Sequence, residues 1–288
     1  MGTSISGSGP KGKSPLLPSW ATGIDDSGSS DDEQESQEND NNSEEGEQDS
    51  SSNQTNDKIS DIEYANSLRG AKSSLSHYIN NRKGYSLKGA VKSYIRSTGG
   101  HKKATKSSIS GIKAGNNFIN FWGGVSQVGF KETLEKYDLT DCIGKSTEEV
   151  FAKIADKIAP IGSTNDEAIA RAAIMMAFDK LCERMIENNQ DLDTLDKLDS
   201  ETLKETVVEF VSAYIFKKWV YEAGIALEKN NLTENEAVGL ENEMRNFVRD
   251  EVKNGFKKMD VVTFDITEGD GKKMIEKIFN TAYSTLEK

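Results

Sequence analysis

The sequence predicts an all-α protein, an irregular multi-helix bundle preceded by a long disordered acidic N-terminal region. Prolines occur only at positions 10, 15, 18 and 160, so long stretches of chain can be helical without interruption. After Asn56 the apolar residues recur at the three- and four-residue spacing of helices with one buried face. Residues 25–57 instead carry thirteen Asp or Glu and no Lys or Arg, a composition with too little apolar surface to fold.

From these changes in composition we expect a tail rich in Gly, Ser and Pro over 1–24, a disordered acidic linker over 25–58 and an all-helical domain over 59–288. The domain is itself divided by charge. Its basic part, residues 64–131, holds twelve Lys or Arg and no acid, whereas its acidic part, residues 132–288, has a net charge of −12. About 230 residues are enough for a sizeable core.

In the basic part, Gly99 and Gly100 separate two helical patterns. Gly111 and Gly115 lie four residues apart, which predicts close packing against a neighbouring helix. The predicted helices cover roughly residues 61–81, 86–97 and 103–122.

In the acidic part, capping boxes with Ser or Thr three residues before Glu predict three helix starts. A further helix carries the longest apolar stripe, from Leu203 to Trp219. Val261, Val262 and Phe264 predict a short strand or an extended joint before a last helix over about 270–287. The capping boxes are Ser146–Glu149, Thr164–Glu167 and Thr233–Glu236.

The composition also bears on location and cofactors. No apolar run is long enough for a transmembrane helix, and the first residues lack the apolar core of a signal peptide. Cys142 and Cys182 have no metal-ligand spacing, and two thiols in 288 residues are typical of a reducing compartment. We therefore expect a cytoplasmic protein with no membrane contact, no metal and no cofactor.

The tail contains GSGPKGKS, Gly7 to Ser14, which fits the phosphate-binding pattern G-x-x-x-x-G-K-[ST] of many nucleotide hydrolases. That loop works only with a buried strand before it and a helix after it. Here the preceding segment is too short and too polar for a buried strand, and Pro15 and Pro18 disfavour a helix start. We therefore interpret the motif as part of a tail.

No set of residues in the sequence predicts an active site. Neither His77 nor His101 can be paired with a nucleophile, and Cys182 lies among apolar residues, as buried structural thiols do. Asp166 and Glu167 fall in the first turn of a predicted helix, where the helix dipole favours acids. We expect a protein that is not an enzyme.

Eight cations crowd the ends of the three helices predicted in the basic part, with Tyr78, Tyr85 and Tyr94 between them. Such a surface suits a nucleic-acid backbone or an acidic protein. The acidic linker and the acidic part of this chain offer a rival explanation, since either can neutralise it. We call these eight residues the basic cluster: Arg82, Lys83, Lys88, Lys92, Arg96, Lys102, Lys103 and Lys106.

The tail itself carries two further features. Removal of Met1 leaves a free amine on Gly2, which also fits an N-myristoylation pattern with Ser6. A single acyl chain anchors weakly, however, and the acidic linker would be repelled by an anionic membrane. Exposed apolar residues in a disordered tail are typical of a docking segment, here Pro15, Leu16, Leu17, Pro18 and Trp20.

The start MGTS, the segment SPLLPSWA, the acidic spacer and the helical body resemble the QatB family. In the body the resemblance is carried by ISGIKAGNNFINFW and by GKSTEEVFAKIADKIAPIGSTNDEAIARAA. It covers the first 21 residues and about 64–230, and the opening motif is its more specific part. QatB is a non-enzymatic component of the bacterial Qat anti-phage defence system.

The resemblance implies three partners: QatA, an ATPase; QatC, similar to the queuosine-pathway enzyme QueC; and QatD, similar to TatD nucleases. QueC-like defence enzymes attach a deazaguanine group to the N-terminal glycine of a protein. Gly2 is then the acceptor amine, Thr3 and Ser4 occupy the entrance of the partner's active site, and the docking segment lies along that partner. A nucleic-acid-binding protein that uses the basic cluster is the alternative.

Overall fold

All residues that the structure describes belong to one compact unit. In this computed structural model they are residues 68–159, 161–188, 192–197, 200–224, 230, 232–258 and 271–288. Within these segments the chain forms ten α-helices and two 3-10 turns and has no strand. The prediction of an all-α fold is therefore confirmed.

The helices follow the order that the sequence predicts, with the tail, the acidic linker and the joint predicted at 261–264 lying outside the described residues. The 3-10 turns are Thr140–Cys142 and Leu192–Lys197. The helices are α1 (Arg69–Ile79), α2 (Leu87–Ser97), α3 (His101–Ser107), α4 (Ile109–Val128), α5 (Phe130–Lys136), α6 (Thr147–Ile158), α7 (Asn165–Glu187), α8 (Ser200–Ala223), α9 (Glu234–Lys258) and α10 (Gly271–Glu287).

Helices α4 and α8 form the centre of the bundle. Helix α4 packs against α5, α6, α7, α8 and α10, and helix α8 also packs against α7, α9 and α10. The ring of Phe118 on α4 stacks on Phe210 of α8 with centroids 6.0 Å apart, and lies 5.6 Å from the ring of Phe178 on α7. Large aromatic rings therefore supply much of the apolar area that the core removes from water.

Close packing at the glycines of α4 is also confirmed. A methyl group added at Gly111 would lie 2.7 Å from the ring of Tyr214 on α8. At Gly115 it would lie 2.6 Å from Ile275 of α10 and 2.8 Å from Phe210 of α8. Because real side chains do not approach so closely, only glycine permits α4 to lie this near both helices.

Helix α8 runs antiparallel to both α7 and α9. Asp166 at the start of α7 pairs with Lys218 near the end of α8. Arg184 near the end of α7 pairs with Glu205 near the start of α8, and Glu205 also pairs with Lys253 near the end of α9. These ion pairs connect all three helices.

The predicted capping residues lie at helix starts. Thr164 accepts the N–H of Glu167 at 3.2 Å, and the Glu167 carboxylate accepts the N–H of Thr164 at 3.1 Å. Thr233 and Glu236 form the same reciprocal pair ahead of α9. Ser146 caps α6 through its side chain. Each cap satisfies a main-chain donor that has no partner within its own helix.

The continuous helix predicted over 103–122 is wrong, because α3 ends and α4 begins on either side of Ser108. The hydroxyls of Ser107 and Ser108 both donate to the carbonyl of Ala104, each at 2.9 Å. The Nζ of Lys218 donates to the Ser107 carbonyl at 2.9 Å. Side chains thus take up the main-chain acceptors that a continuous helix would use.

Candidate functional surface and cavity

The basic cluster follows the chain from the turn before α2, along α2 and into α3. Lys88, Lys92 and Arg96 lie four residues apart, which places them along one side of α2 over about 12 Å. Arg82 and Lys83 lie in the preceding turn, and the other three cations belong to α3. Seven of the eight are exposed and Lys92 is half-buried.

The last turn of α10 lies beside part of this cluster. The Nζ of Lys92 donates to the main-chain oxygen of Lys288 at 2.9 Å, and Glu287 accepts the main-chain N–H of His101 at 3.2 Å. The hydrogen bond with the His101 ring is the main reason that the pKa of Glu287 is lowered, and Arg96 adds a weaker electrostatic effect. Cations are favoured at a helix C-terminus, so Lys92 and Arg96 also stabilise the bundle.

The other six cations of the cluster form no side-chain hydrogen bond or ion pair within the described part of the chain. Within the described residues, direct pairing with acids therefore does not account for these six cations. Pairing with the acidic linker stays a prediction, because the linker lies outside the described residues.

The three tyrosines that the sequence places between the cations of the basic cluster do not form an aromatic surface. Tyr94 is in the core, where its hydroxyl donates to Glu222 at 2.8 Å. Tyr78 donates to Glu243 at 2.5 Å, and burial with this contact raises the pKa of Tyr78 to about 12. Only Tyr85 of these three is exposed. Stacking of several nucleotide bases between the cations is therefore not supported.

A buried polar network joins the start of α7 to α4 and α8. The hydroxyl of Tyr214 donates to Asp166 at 2.5 Å, the Nζ of Lys218 donates to the same carboxylate at 3.1 Å, and the N–H of Ser110 donates at 3.0 Å. Burial acts to raise the pKa of Asp166, but these three donors outweigh it and lower the pKa. Asp166 therefore does more than complement the helix dipole, which was its predicted role.

The other side chains considered as candidates for catalysis, His77 and the two cysteines, have surroundings that do not activate them. The ring of His77 lies 4.6 Å from that of Tyr85. Cys142 is buried, and Cys182 is half-buried rather than fully buried as expected. Burial, with the nearby acid Glu148 and others, raises the pKa of Cys182 to about 11. A thiol with that pKa is protonated at neutral pH and is a poor nucleophile.

A cavity of about 550 Å³ lies between α7, α8 and α9. Its lining includes the apolar side chains of Leu181, Val208 and Phe256. Twelve charged side chains complete the lining, six of each sign. The volume is within the range of small-molecule sites, and the lining has no net charge.

Two glutamates of α8, one helical turn apart in the cavity, have opposite surroundings. Glu205 accepts from Arg184 and, at 3.1 Å, from Lys253, whereas Glu209 has no hydrogen bond or ion pair within the described segments. Burial acts to raise the pKa of both carboxyls. In Glu205 the two cations outweigh burial and lower the pKa, whereas in Glu209 burial prevails over Arg249 and its neighbours.

This cavity was not predicted from the sequence. Its only local indication is a single acid within an apolar run, Glu209 in VVEFV. A charged residue among Val207, Val208, Phe210 and Val211 is unusual on a buried helix face. The walls of the cavity come from α7 and α9, which only the fold brings beside α8.

The predicted site residues of the tail lie outside the described residues, so Gly2, Thr3, Ser4 and the docking segment stay predictions. Among the described helices, none has the length and apolarity to cross a membrane. The described His, Cys, Asp and Glu residues form no group arranged to hold a metal ion.

Comparison with protein families matches residues 99–286 to the Qat anti-phage system associated protein QatB. The match covers well over half of the 288 residues, from the turn before α3 into the last turn of α10. No curated protein and no solved structure matches the chain. The chain therefore belongs to the QatB family and has a role in Qat anti-phage defence.

Proposed function

We propose that this QatB-family protein is a non-enzymatic immunity adaptor that forms a complex with a QatC-like enzyme of the QueC family. Gly2 accepts a deazaguanine-type group, and Thr3 and Ser4 lie at the entrance of the partner's active site. The docking segment, Pro15 to Trp20, holds the tail against that partner. A QatA-like ATPase and a QatD-like TatD nuclease are the further partners, and the complex acts in the cytoplasm.

The observation that carries this proposal is the combination of a QatB-family body with a tail that begins MGTS and continues to SPLLPSWA. The chemistry of an N-terminal amine supports it. Such an amine has an ordinary pKa near 8, well below that of lysine, so a larger neutral fraction is available as a nucleophile at neutral pH. Glycine adds no side chain that would obstruct its approach to an enzyme.

The test is the intact mass of the full chain, expressed alone and together with its Qat partners. We expect the mass of the chain without Met1 when it is expressed alone, and an added mass on the N-terminal peptide when the partners are present. Gly2→Pro converts the acceptor to a secondary amine, so the added mass and protection against phage should both be lost.

Gly7→Pro is the matched control, because it makes the same change in the same tail five residues further on. This variant should keep the added mass and the protection. The proposal is wrong if the wild-type mass does not change with the partners present, or if the Gly2→Pro variant protects normally.

One observation favours the alternative, a nucleic-acid-binding protein: six cations of the basic cluster have no side-chain partner in the described part of the chain. Phosphate contacts by such cations would give affinity that falls steeply with salt. The buried ring of Tyr94 argues against base stacking, so this mode of binding would be directed at the backbone.

A further inference from the structure

Three exposed apolar side chains lie around the start of α7. Ile109 is 70 % exposed, Ile161 is 82 % exposed and Tyr221 is 57 % exposed. Single exposed apolar residues are common on protein surfaces, whereas several at one place are typical of a surface that binds another molecule. The position of these three side chains therefore matters more than the exposure of any one of them.

Hydrogen bonds to the first residues of α7 bring two of the three side chains to the same place. The N–H of Ser110, the residue after Ile109, donates to the Asp166 carboxylate at 3.0 Å. The side-chain amide of Asn165 donates to the hydroxyl of Tyr221. The start of α4 and the end of α8 therefore both lie beside the first turn of α7.

The third side chain, Ile161, lies in the segment that leads into α7. Its neighbour Gly162 packs so closely on this helix that an added methyl group would overlap the side chain of Glu167. Ile161 is thus held beside the same helical turn as the other two.

Lysines flank Ile109 on both sides along the chain. Lys102, Lys103 and Lys106 belong to α3, and Lys113 lies one turn beyond Ile109 on α4. All four are exposed, and none has a side-chain hydrogen bond or ion pair within the described segments. Positive charge therefore adjoins the apolar side chains.

The acids nearest to this place are already engaged. Asp166 accepts from Tyr214, Lys218 and Ser110, and Glu167 accepts the main-chain N–H of Thr164 in the helix cap. The surface therefore presents cations and apolar groups to solvent. We call it the Ile109 face: Lys102, Lys103, Lys106, Ile109, Lys113, Ile161 and Tyr221.

The combination of charge and apolar area discriminates among ligands. A nucleic-acid backbone pairs with lysines but has no large apolar group to cover Ile109 and Ile161. An anionic membrane offers both, yet it would repel a chain with a net charge of −12. A short acidic protein segment with apolar side chains complements both properties, because it covers this face without approaching the acidic part of the chain.

We propose that the Ile109 face binds a segment of a partner protein in which Asp or Glu residues surround large apolar side chains. The apolar side chains of the segment cover Ile109, Ile161 and Tyr221, and its carboxylates pair with the four lysines. This inference does not depend on modification of Gly2, because binding is measured on the full chain made without the Qat partners.

The test is a fluorescence-anisotropy titration of the full chain against a short labelled peptide of Glu and Leu. A matched peptide has the same charge, with Ser in place of every Leu. The peptide of Glu and Leu should bind at least about tenfold more tightly, because only it can remove the three apolar side chains from water. Both affinities should fall as salt is added, since the ion pairs are exposed.

Two substitutions separate the apolar contact from the charge. In Ile109→Asp, the affinity for the peptide of Glu and Leu should fall at least about tenfold, because apolar contact is lost and like charges meet. In Lys113→Glu, both peptides should bind more weakly by a similar factor.

Ile186→Asp is the matched control, because Ile186 is 69 % exposed and lies near the opposite end of α7. This variant should bind both peptides like the wild type. All three substituted side chains are exposed, so the variants should keep the wild-type circular dichroism spectrum.

Several outcomes would overturn the proposal. No binding of the peptide of Glu and Leu, or equal affinity for the two peptides, would mean that the apolar side chains form no docking surface. An equal loss in Ile109→Asp and Ile186→Asp would place the peptide elsewhere. Displacement of the peptide by single-stranded DNA, or binding to phosphatidylserine vesicles that is lost in Ile109→Asp, would assign the face to nucleic acid or to a membrane.

Discussion

Lys218 lies 7 % exposed on α8, yet it carries a charged group. Its Nζ donates to the Asp166 carboxylate at 3.1 Å and to the Ser107 carbonyl at 2.9 Å, and it lies 3.4 Å from the Tyr214 hydroxyl. A buried ammonium is tolerated only when its donors are used in this way. One lysine thus joins the start of α7 to the end of α3.

Removal of this cation should destabilise the bundle. In Lys218→Met, Asp166 loses its counter-charge and the Ser107 carbonyl loses its donor, while the stem of the side chain is conserved. We expect a loss of about 3 kcal/mol in the free energy of unfolding, the usual effect of removing one partner of a buried pair. Urea denaturation at neutral pH measures it.

The pH dependence separates this electrostatic effect from a loss of packing. A lowered pKa in the folded state means that Asp166 contributes stability above its unfolded pKa of about 3.9, and that this is lost as the pH falls. The difference between wild type and Lys218→Met should therefore persist down to about pH 4 and narrow as the pH falls further, through the lowered pKa of folded Asp166. Lys217→Met, on the half-buried neighbour, should cost less than about 1 kcal/mol. Equal losses in both variants would contradict this account.

The structural roles of some single residues could be predicted from the sequence, and those of others could not. Tyr94 could have been assigned to the core, because Leu87, Ala90, Val91 and Ile95 share its helical spacing on α2. The partners of Asp166 could not have been predicted, since Lys218 is 52 residues away and no local pattern connects the two. The exposure of most of the basic cluster could be predicted from its charge alone, because charged side chains are rarely buried.

At the scale of the helices, predictions succeeded where local interactions determine the start of a helix. Thr164 and Thr233 mark helix starts because their partners are three residues away. The break at Ser108 also involves a distant contact, because the Ser108 hydroxyl lies 2.9 Å from that of Tyr283 although 175 residues separate them. A sequence window of one helix contains no sign of that contact.

The close approach of α4 to α8 and α10 also gives an element-scale prediction. Gly111→Ala and Gly115→Ala each put a methyl group into space held by Tyr214 or Ile275. We expect each variant to lose about 1–3 kcal/mol of stability, the range for overpacked cores, although alanine is the better helix former. Thermal unfolding followed by circular dichroism measures the loss.

Gly239→Ala on α9 is the matched control, because a methyl group there meets nothing within 4 Å. Only helix propensity acts at that position, so we expect a gain of about 0.5–1 kcal/mol. The change in stability on substitution by alanine should therefore be negative at Gly111 and Gly115 and positive at Gly239. A gain at Gly111 as well would mean that α4 can move away from α8 without penalty.

At the scale of the whole molecule, the opposition of basic and acidic parts becomes internal pairing only in part of the described residues, at the contacts of Lys92 and His101 with the end of α10. Lys102, Lys103 and Lys106 have no side-chain partner there, and they lie within the part of the chain that matches the QatB family. The uneven distribution of charge along the chain could be predicted from composition, because counting charges requires no knowledge of contacts. Composition could not predict the cavity, because its walls come from three separate helices that only the fold brings together.

The basic cluster therefore gives a prediction about polyanions that is independent of Gly2. If it binds a nucleic-acid backbone, affinity for single-stranded DNA should fall linearly with the logarithm of salt concentration. Reversal of Lys102, Lys103 and Lys106 to Glu should make that slope shallower by about two to three, since each cation accounts for about one released counterion. Fluorescence anisotropy at several salt concentrations measures both slopes.

Lys131, Lys136 and Lys277 provide the matched control, because they are exposed, lie outside the cluster and change the net charge equally when reversed. If the cluster is the contact surface, this control variant should have the same salt dependence of affinity as the wild type. If only net charge matters, its slope should become as shallow as that of the cluster variant. Binding that is absent, or insensitive to salt, would reject the nucleic-acid alternative. The six cations that have no side-chain partner among the described residues would then be assigned to an acidic protein surface, which is what a docking partner of this bundle would have to present.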